Sequence, residues 1–104
     1  MTSFESMNER ARQVRRMYAR REVERYGREW SAEELALGFV GDVGDLMKLV
    51  QGKAGVRERA DLDRVLAHEL ADCLWSVMVL AEVYGVDLEE AFLRTMGELE
   101  ERLR

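Results

Sequence analysis

Not one proline interrupts these 104 residues, and apolar side chains recur at three- and four-residue intervals along most of the chain. Proline removes a backbone donor and clashes with the preceding turn, so a chain without it leaves long helices unbroken. Glu, Arg, Leu and Ala supply half of the residues, and all are good helix formers. The pattern predicts an all-α fold of four helices. The first covers about residues 4–26, with Phe4, Met7, Ala11, Val14 and Tyr18 on one stripe and Gly27 as a left-handed cap. That stripe fades into Arg21, Glu22 and Arg25. Ser31 and Glu34 form a capping-box signature for the second helix, roughly residues 32–51. Gln51-Gly52-Lys53-Ala54-Gly55 is the clearest break. The third helix starts at Asp61 or Asp63, either of which can cap it, and runs to about residue 84. It is apolar almost all round, as expected at the centre of a bundle or an oligomer. Gly85 closes it, and Asp87 with Glu90 repeats the capping-box logic for a fourth helix from residue 88 to about 103. Short connections imply largely antiparallel neighbours.

This length allows one domain, residues 1–104, and small helical domains often gain stability by oligomerising. Met1-Thr2-Ser3-Phe4-Glu5 lacks the basic start and apolar stretch of a signal peptide. The longest apolar run, residues 70–81, is interrupted by Asp72 and Ser76 and is too short to span a bilayer. Cys73 is the one cysteine, which fits a reducing cytoplasm and a buried small side chain rather than a nucleophile. A soluble, cytoplasmic protein with no membrane partner is expected. The net charge of −5 argues against nucleic acid as a main partner. Eight arginines nevertheless crowd residues 10–28. Two readings of them stay open. One is a solvated face balanced by Glu9, Glu22 and Glu24; the other is a flank that draws in a polyphosphate or an acidic neighbouring subunit.

Two acid pairs stand out because they fall inside apolar faces. Asp42 and Asp45 lie three apart beside Leu35, Phe39, Leu46 and Leu49; Glu69 and Asp72 lie beside Val65, Leu66, Cys73 and Leu80. An ionised carboxylate facing a core is costly unless it is paired or binds a cation. Four of them on facing helices would raise one another's pKa. A divalent cation removes both costs, and an all-oxygen donor set selects Mg²⁺ first and Mn²⁺ second. Magnesium keeps waters or takes substrate phosphates, so an open cluster of this kind points to phosphate chemistry. Solvated acids neutralised by Arg or Lys are the competing reading. A di-iron carboxylate bundle would want Glu-x-x-His motifs. The one histidine, His68, directly precedes Glu69 and reads as a partly exposed polar residue rather than a ligand. Gly38, Gly41 and Gly44 each give up about 1 kcal/mol of helix stability relative to Ala. Close approach of a ligand or, the preferred reading, of a neighbouring helix accounts for them.

The stretch from Leu35 to Leu46, containing Gly41-Asp42-Val43-Gly44-Asp45, is similar to the E-E-x-x-E motif of the MazG-like all-α nucleoside triphosphate pyrophosphatases. His68-Glu69-Leu70-Ala71-Asp72-Cys73-Leu74-Trp75 resembles that family's E-x-x-D motif, and the 23 residues between Asp45 and Glu69 match its separation. Residues 81–91 resemble its turn into the last helix. The resemblance implies a four-helix bundle assembled as a homodimer or homotetramer. It also implies Mg²⁺-dependent hydrolysis of a (deoxy)nucleoside triphosphate to monophosphate and pyrophosphate. Position by position, the metal ligands are Asp42, Asp45, Glu69 and Asp72. Lys53, in the Gly-flanked loop, and Arg94 are the basic candidates for phosphate contact, and Trp30, Phe39 and Trp75 the aromatic candidates for a base. Trp75 is assigned to the core and Trp30 is left open. This chain departs from the family in three places: both first-motif glutamates are aspartates, one methylene shorter; Gly41 replaces the preceding acid; and the last helix offers Arg94 but no Asn where the family often places a Lys and an Asn. The first two changes sustain an alternative from another class, a homo-oligomeric module that binds a nucleotide or a protein with weakened or no catalysis.

Overall fold

Local signals set the helix ends. The computed structural model describes residues 3–104 and comprises α1 (Phe4–Tyr26), α2 (Ala32–Lys53), α3 (Leu62–Val83) and α4 (Leu88–Leu103), with no strand among the described residues. Met1 and Thr2, part of the segment read as lacking a signal sequence, lie outside them. Ser3 caps α1 through a reciprocal box with Ser6, and Gly27 ends it at φ 79°. Ser31 and Glu34 form the expected box at the start of α2. Arg28 clamps the same Glu34 carboxylate at 2.6 and 3.1 Å and, with the Ser31 N–H, holds its pKa down to about 2. Gly85, at φ 65°, takes the chain out of α3. Asp87 then accepts the Glu90 N–H at 3.1 Å, so the cap on α4 is one-sided.

Two expectations are corrected, at Asp61 and at Gly52, and one is not met within this chain. Asp61 stands at the α3 N-cap but makes no capping bond, because Arg59 at 2.6 Å and Arg64 at 2.9 Å hold its carboxylate. A Cβ at Gly38, Gly41 or Gly44 would meet nothing within 4 Å, so no helix of this chain presses on them. The close approach is at Gly52, which belongs to the last turn of α2 rather than to a loop. There a Cβ would sit 2.6 Å from the Arg57 carbonyl oxygen and 2.8 Å from Leu62 Cδ1.

Helices α2 and α3 form an antiparallel hairpin, with Gly52 beside Leu62 at the closed end and Asp45 beside Glu69 further along. Helix α1 crosses the other side of α3. The Trp75 indole N–H donates to the Ala11 carbonyl at 3.2 Å, Tyr18 tilts against the Trp75 ring at 5.6 Å, and Arg12 bonds Glu82 at 3.1 Å. Helix α3 is therefore central, as expected, though Leu70, Leu74 and Val83 remain exposed. Helix α4 contributes no buried residue and packs little on the others. The buried apolar set is small: Ala11, Ala19, Leu49, Met78 and Val79. The radius of gyration, 16.4 Å, exceeds the ~13 Å of a compact chain of this length. No described helix is long and apolar enough to cross a membrane.

A candidate metal centre between two helices

Three-residue spacing aims each acid pair along one line of its helix, and the hairpin turns the two lines toward each other. Carboxylate oxygens of Asp42, Asp45 and Glu69 lie within 4.8 Å of one another, and ligand atoms of His68, Glu69 and Asp72 lie equally close. Glu69 belongs to both groups. Its Oε2 is shut off from solvent and has no hydrogen-bond partner. Burial, then the charges of Asp72, Asp42 and Asp45, pushes the Glu69 carboxyl above the usual carboxylate range. Asp42 is displaced in the same direction by burial first and by Asp72 and Asp45 next. No arginine or lysine pairs with any of the four acids among the described residues. Within one chain, therefore, no arginine or lysine neutralises the cluster.

A buried, partnerless carboxylate oxygen among like charges has the properties of a cation ligand before the cation arrives. The donor set, oxygen with one imidazole at its edge, suits a hard divalent ion. Asp45 is exposed, so the cluster opens to solvent on one side, where waters or phosphate oxygens can complete a coordination shell. Cys73 is half-buried beside the cluster. Burial and the neighbouring carboxylates raise its thiol pKa, which disfavours the nucleophilic thiolate.

A cavity of about 420 Å³ adjoins Asp42 and is walled by α1, the linker after it, α2 and α3. Tyr18, Tyr26, Trp30 and Trp75 line it with Arg15, Arg21 and Arg25. Trp30 is open to solvent, while Trp75 is half-buried between α1 and α3. The wall depends on Glu22, which counting charges along α1 had placed on a solvated face. Its side chain is only 9% exposed. It accepts two bonds from Arg15, at 2.8 and 2.9 Å, and the Trp30 backbone N–H at 2.8 Å. Arg15, the first cause, and the Trp30 N–H hold its carboxyl below the usual range against the cost of burial. The signal was present in the sequence: Glu22 continues the spacing of Ala11, Val14 and Tyr18, and Arg15 stands two turns before it on the same face.

The other predicted residues lie apart. Lys53 pairs with Asp63 at 2.7 Å, eight residues (about 12 Å of helix) beyond Asp45. Arg94 pairs with Glu90 at 2.9 Å on α4. Neither contributes to the electrostatics of Asp42 or Glu69 within one chain. His68 is exposed as expected, yet its Nε2 stands 3.1 Å from Asp72 Oδ2.

No curated protein and no solved structure gave a significant match to the chain. The family model for the MazG nucleotide pyrophosphohydrolase domain matches residues 30–104, which takes in α2, α3, α4 and all four acids but leaves out α1. An all-helical chain matched over nearly three quarters of its length, with both acid pairs inside the match, belongs to the MazG nucleotide pyrophosphohydrolase family.

Proposed function

We propose that this protein is a Mg²⁺-dependent nucleotide pyrophosphohydrolase that converts a (deoxy)nucleoside triphosphate to its monophosphate and pyrophosphate. Asp42, Asp45, Glu69 and Asp72 hold the cation, with Mn²⁺ as the alternative ion. The observation that carries this reading is the buried, unbonded Oε2 of Glu69 among carboxylates that no arginine or lysine of the described residues pairs with. Bound there, the ion supplies charge neutralisation for phosphate oxygens and acidity for a nearby water. The protein's share is geometric and electrostatic. Asp42 and Glu69 fix the buried side of the shell, and Asp45 stands on its open side. Arg21 and Arg25, without ion-pair partners among the described residues, give the adjoining cavity a positive wall suited to a polyphosphate. The Trp30 and Tyr26 rings at the same wall offer faces on which a base can stack.

The working form is a homodimer or homotetramer acting through this single domain in the cytoplasm. Exposed Leu37, Val40, Phe92 and Leu93 and the loosely packed α4 support assembly. Arg94, on that helix, is a cation that assembly can bring to the acids of another copy, and Lys53 is the second. Incubation with a panel of nucleoside triphosphates and Mg²⁺ or Mn²⁺, with pyrophosphate release as the readout, tests the reading. Release that is metal-dependent and lost in Glu69→Ala is expected. No release above background from folded protein would instead support the binding module without catalysis.

A further inference from the structure

The metal centre has a neighbour for which the proposed hydrolysis has no use. His68 lies one residue before Glu69 and four before Asp72, so its ring and the Asp72 carboxylate leave α3 from the same face. Its Nε2 is 3.1 Å from Asp72 Oδ2, and a Glu69 oxygen completes a group whose members all lie within 4.8 Å. In an octahedral shell with bonds of about 2.1 Å, adjacent donors stand about 3.0 Å apart and opposite donors about 4.2 Å. The His68–Asp72 pair already has the spacing of one octahedral edge. Small side-chain rotations bring the third atom in, and the His68 ring, 69% exposed, is free to make them. Glu69, with two oxygens and one of them unpartnered, can serve this group and the Asp42–Asp45 group together.

We propose that His68, Glu69 and Asp72 form a second cation subsite that takes a borderline transition ion, of the Co²⁺, Ni²⁺ or Zn²⁺ class, in preference to Mg²⁺. The selectivity follows from donor chemistry. Magnesium is hard and takes oxygen, whereas imidazole nitrogen favours the later first-row ions, whose affinities rise along the series from Mn²⁺ to Cu²⁺. The subsite rests on the proposed metal centre in sharing Glu69 and Asp72 with it, and His68 is the donor it adds.

Because His68 is the one histidine in the sequence, tag-free protein gives an unambiguous test. Chelator-treated wild type, His68→Gln and Asp42→Asn are titrated calorimetrically with Ni²⁺ and separately with Mg²⁺, and the absorption of added Co²⁺ reports nitrogen ligation. Loss of an outer-shell partner alone lowers metal affinity about 10- to 100-fold, so loss of a direct nitrogen ligand should weaken Ni²⁺ at least about tenfold in His68→Gln. Mg²⁺ binding should be unchanged in that variant, while Asp42→Asn should lose Mg²⁺ and retain Ni²⁺. Ni²⁺ affinity within about twofold between wild type and His68→Gln overturns the subsite and reduces the His68–Asp72 contact to a surface pair. Ni²⁺ binding that needs His68 in a protein that never binds Mg²⁺ upholds the subsite and overturns the pyrophosphohydrolase reading instead.

Discussion

Glu22→Gln isolates the device that joins α1 to the linker before α2. Breaking a buried ion pair by removing one partner costs about 3–5 kcal/mol, because the other charge stays behind without compensation. Arg15 is 17% exposed and recovers some hydration. Gln also keeps a carbonyl acceptor for the Trp30 N–H. The expected loss is therefore nearer about 2–3 kcal/mol at neutral pH, out of a total of about 5–15 kcal/mol for a domain of this kind. At about 4–8 °C per kcal/mol, the melting temperature should fall by roughly 8–24 °C. Glu22 has a depressed pKa in the folded protein, so its contribution is complete above the unfolded value of about 4.3 and is lost as pH falls through the folded one. The gap between wild type and variant should be wide at pH 7 and should shrink below about pH 4. Unfolding followed by circular dichroism at both pH values, at one fixed protein concentration, reads this directly. A loss under about 1 kcal/mol at pH 7, or a gap that ignores pH, would refute the buried pair as a structural anchor.

Three further outcomes are expected. Asp42 and Glu69 bind protons more readily folded than unfolded, so without metal their contribution is most favourable below about pH 4 and declines as pH rises through the raised values. Glu69→Gln should accordingly gain stability relative to wild type as chelator-treated samples are taken from pH 4 to 8; a relative loss over that range would point to a salt-bridged Glu69. Gly52→Ala forces a Cβ against the Arg57 carbonyl and Leu62, and should destabilise by about 1–3 kcal/mol in urea unfolding, whereas a neutral result would mean the α2–α3 turn is not closely packed. Trp30→Ala should weaken nucleotide binding about tenfold, within the range for loss of one aromatic stack, and should leave the melting temperature nearly unchanged. An unaltered affinity in calorimetry would remove Trp30 from the base-binding wall.

The helices were legible because their signals are local and periodic. Ser31 with Glu34, Gly27 and Gly85 act where the sequence puts them, and the apolar spacing sets the faces. What escaped was decided by competition between side chains or by backbone contact. Asp61 has a capping residue's chemistry, but two arginines reach it first. Gly52 looked like loop punctuation, and only the folded hairpin reveals the Arg57 carbonyl beneath it. The glycines at 38, 41 and 44 are open in one chain, a difference that periodicity cannot register. The acid pairs were legible because three-residue spacing within apolar faces leaves few alternatives. Glu22 was obscured by its neighbours, since a charge among eight arginines reads as surface until Arg15 and the Trp30 N–H are seen to enclose it.

Whether a cation relieves the acidic cluster is tested most directly by the melting temperature of chelator-treated protein at pH 7 with and without Mn²⁺. At a hundredfold excess over the dissociation constant, binding to the folded state alone adds about 2.7 kcal/mol, a rise of roughly 10–20 °C. Wild type should show that rise and Glu69→Ala should not. An equal rise in both, or none in wild type, would contradict the metal centre.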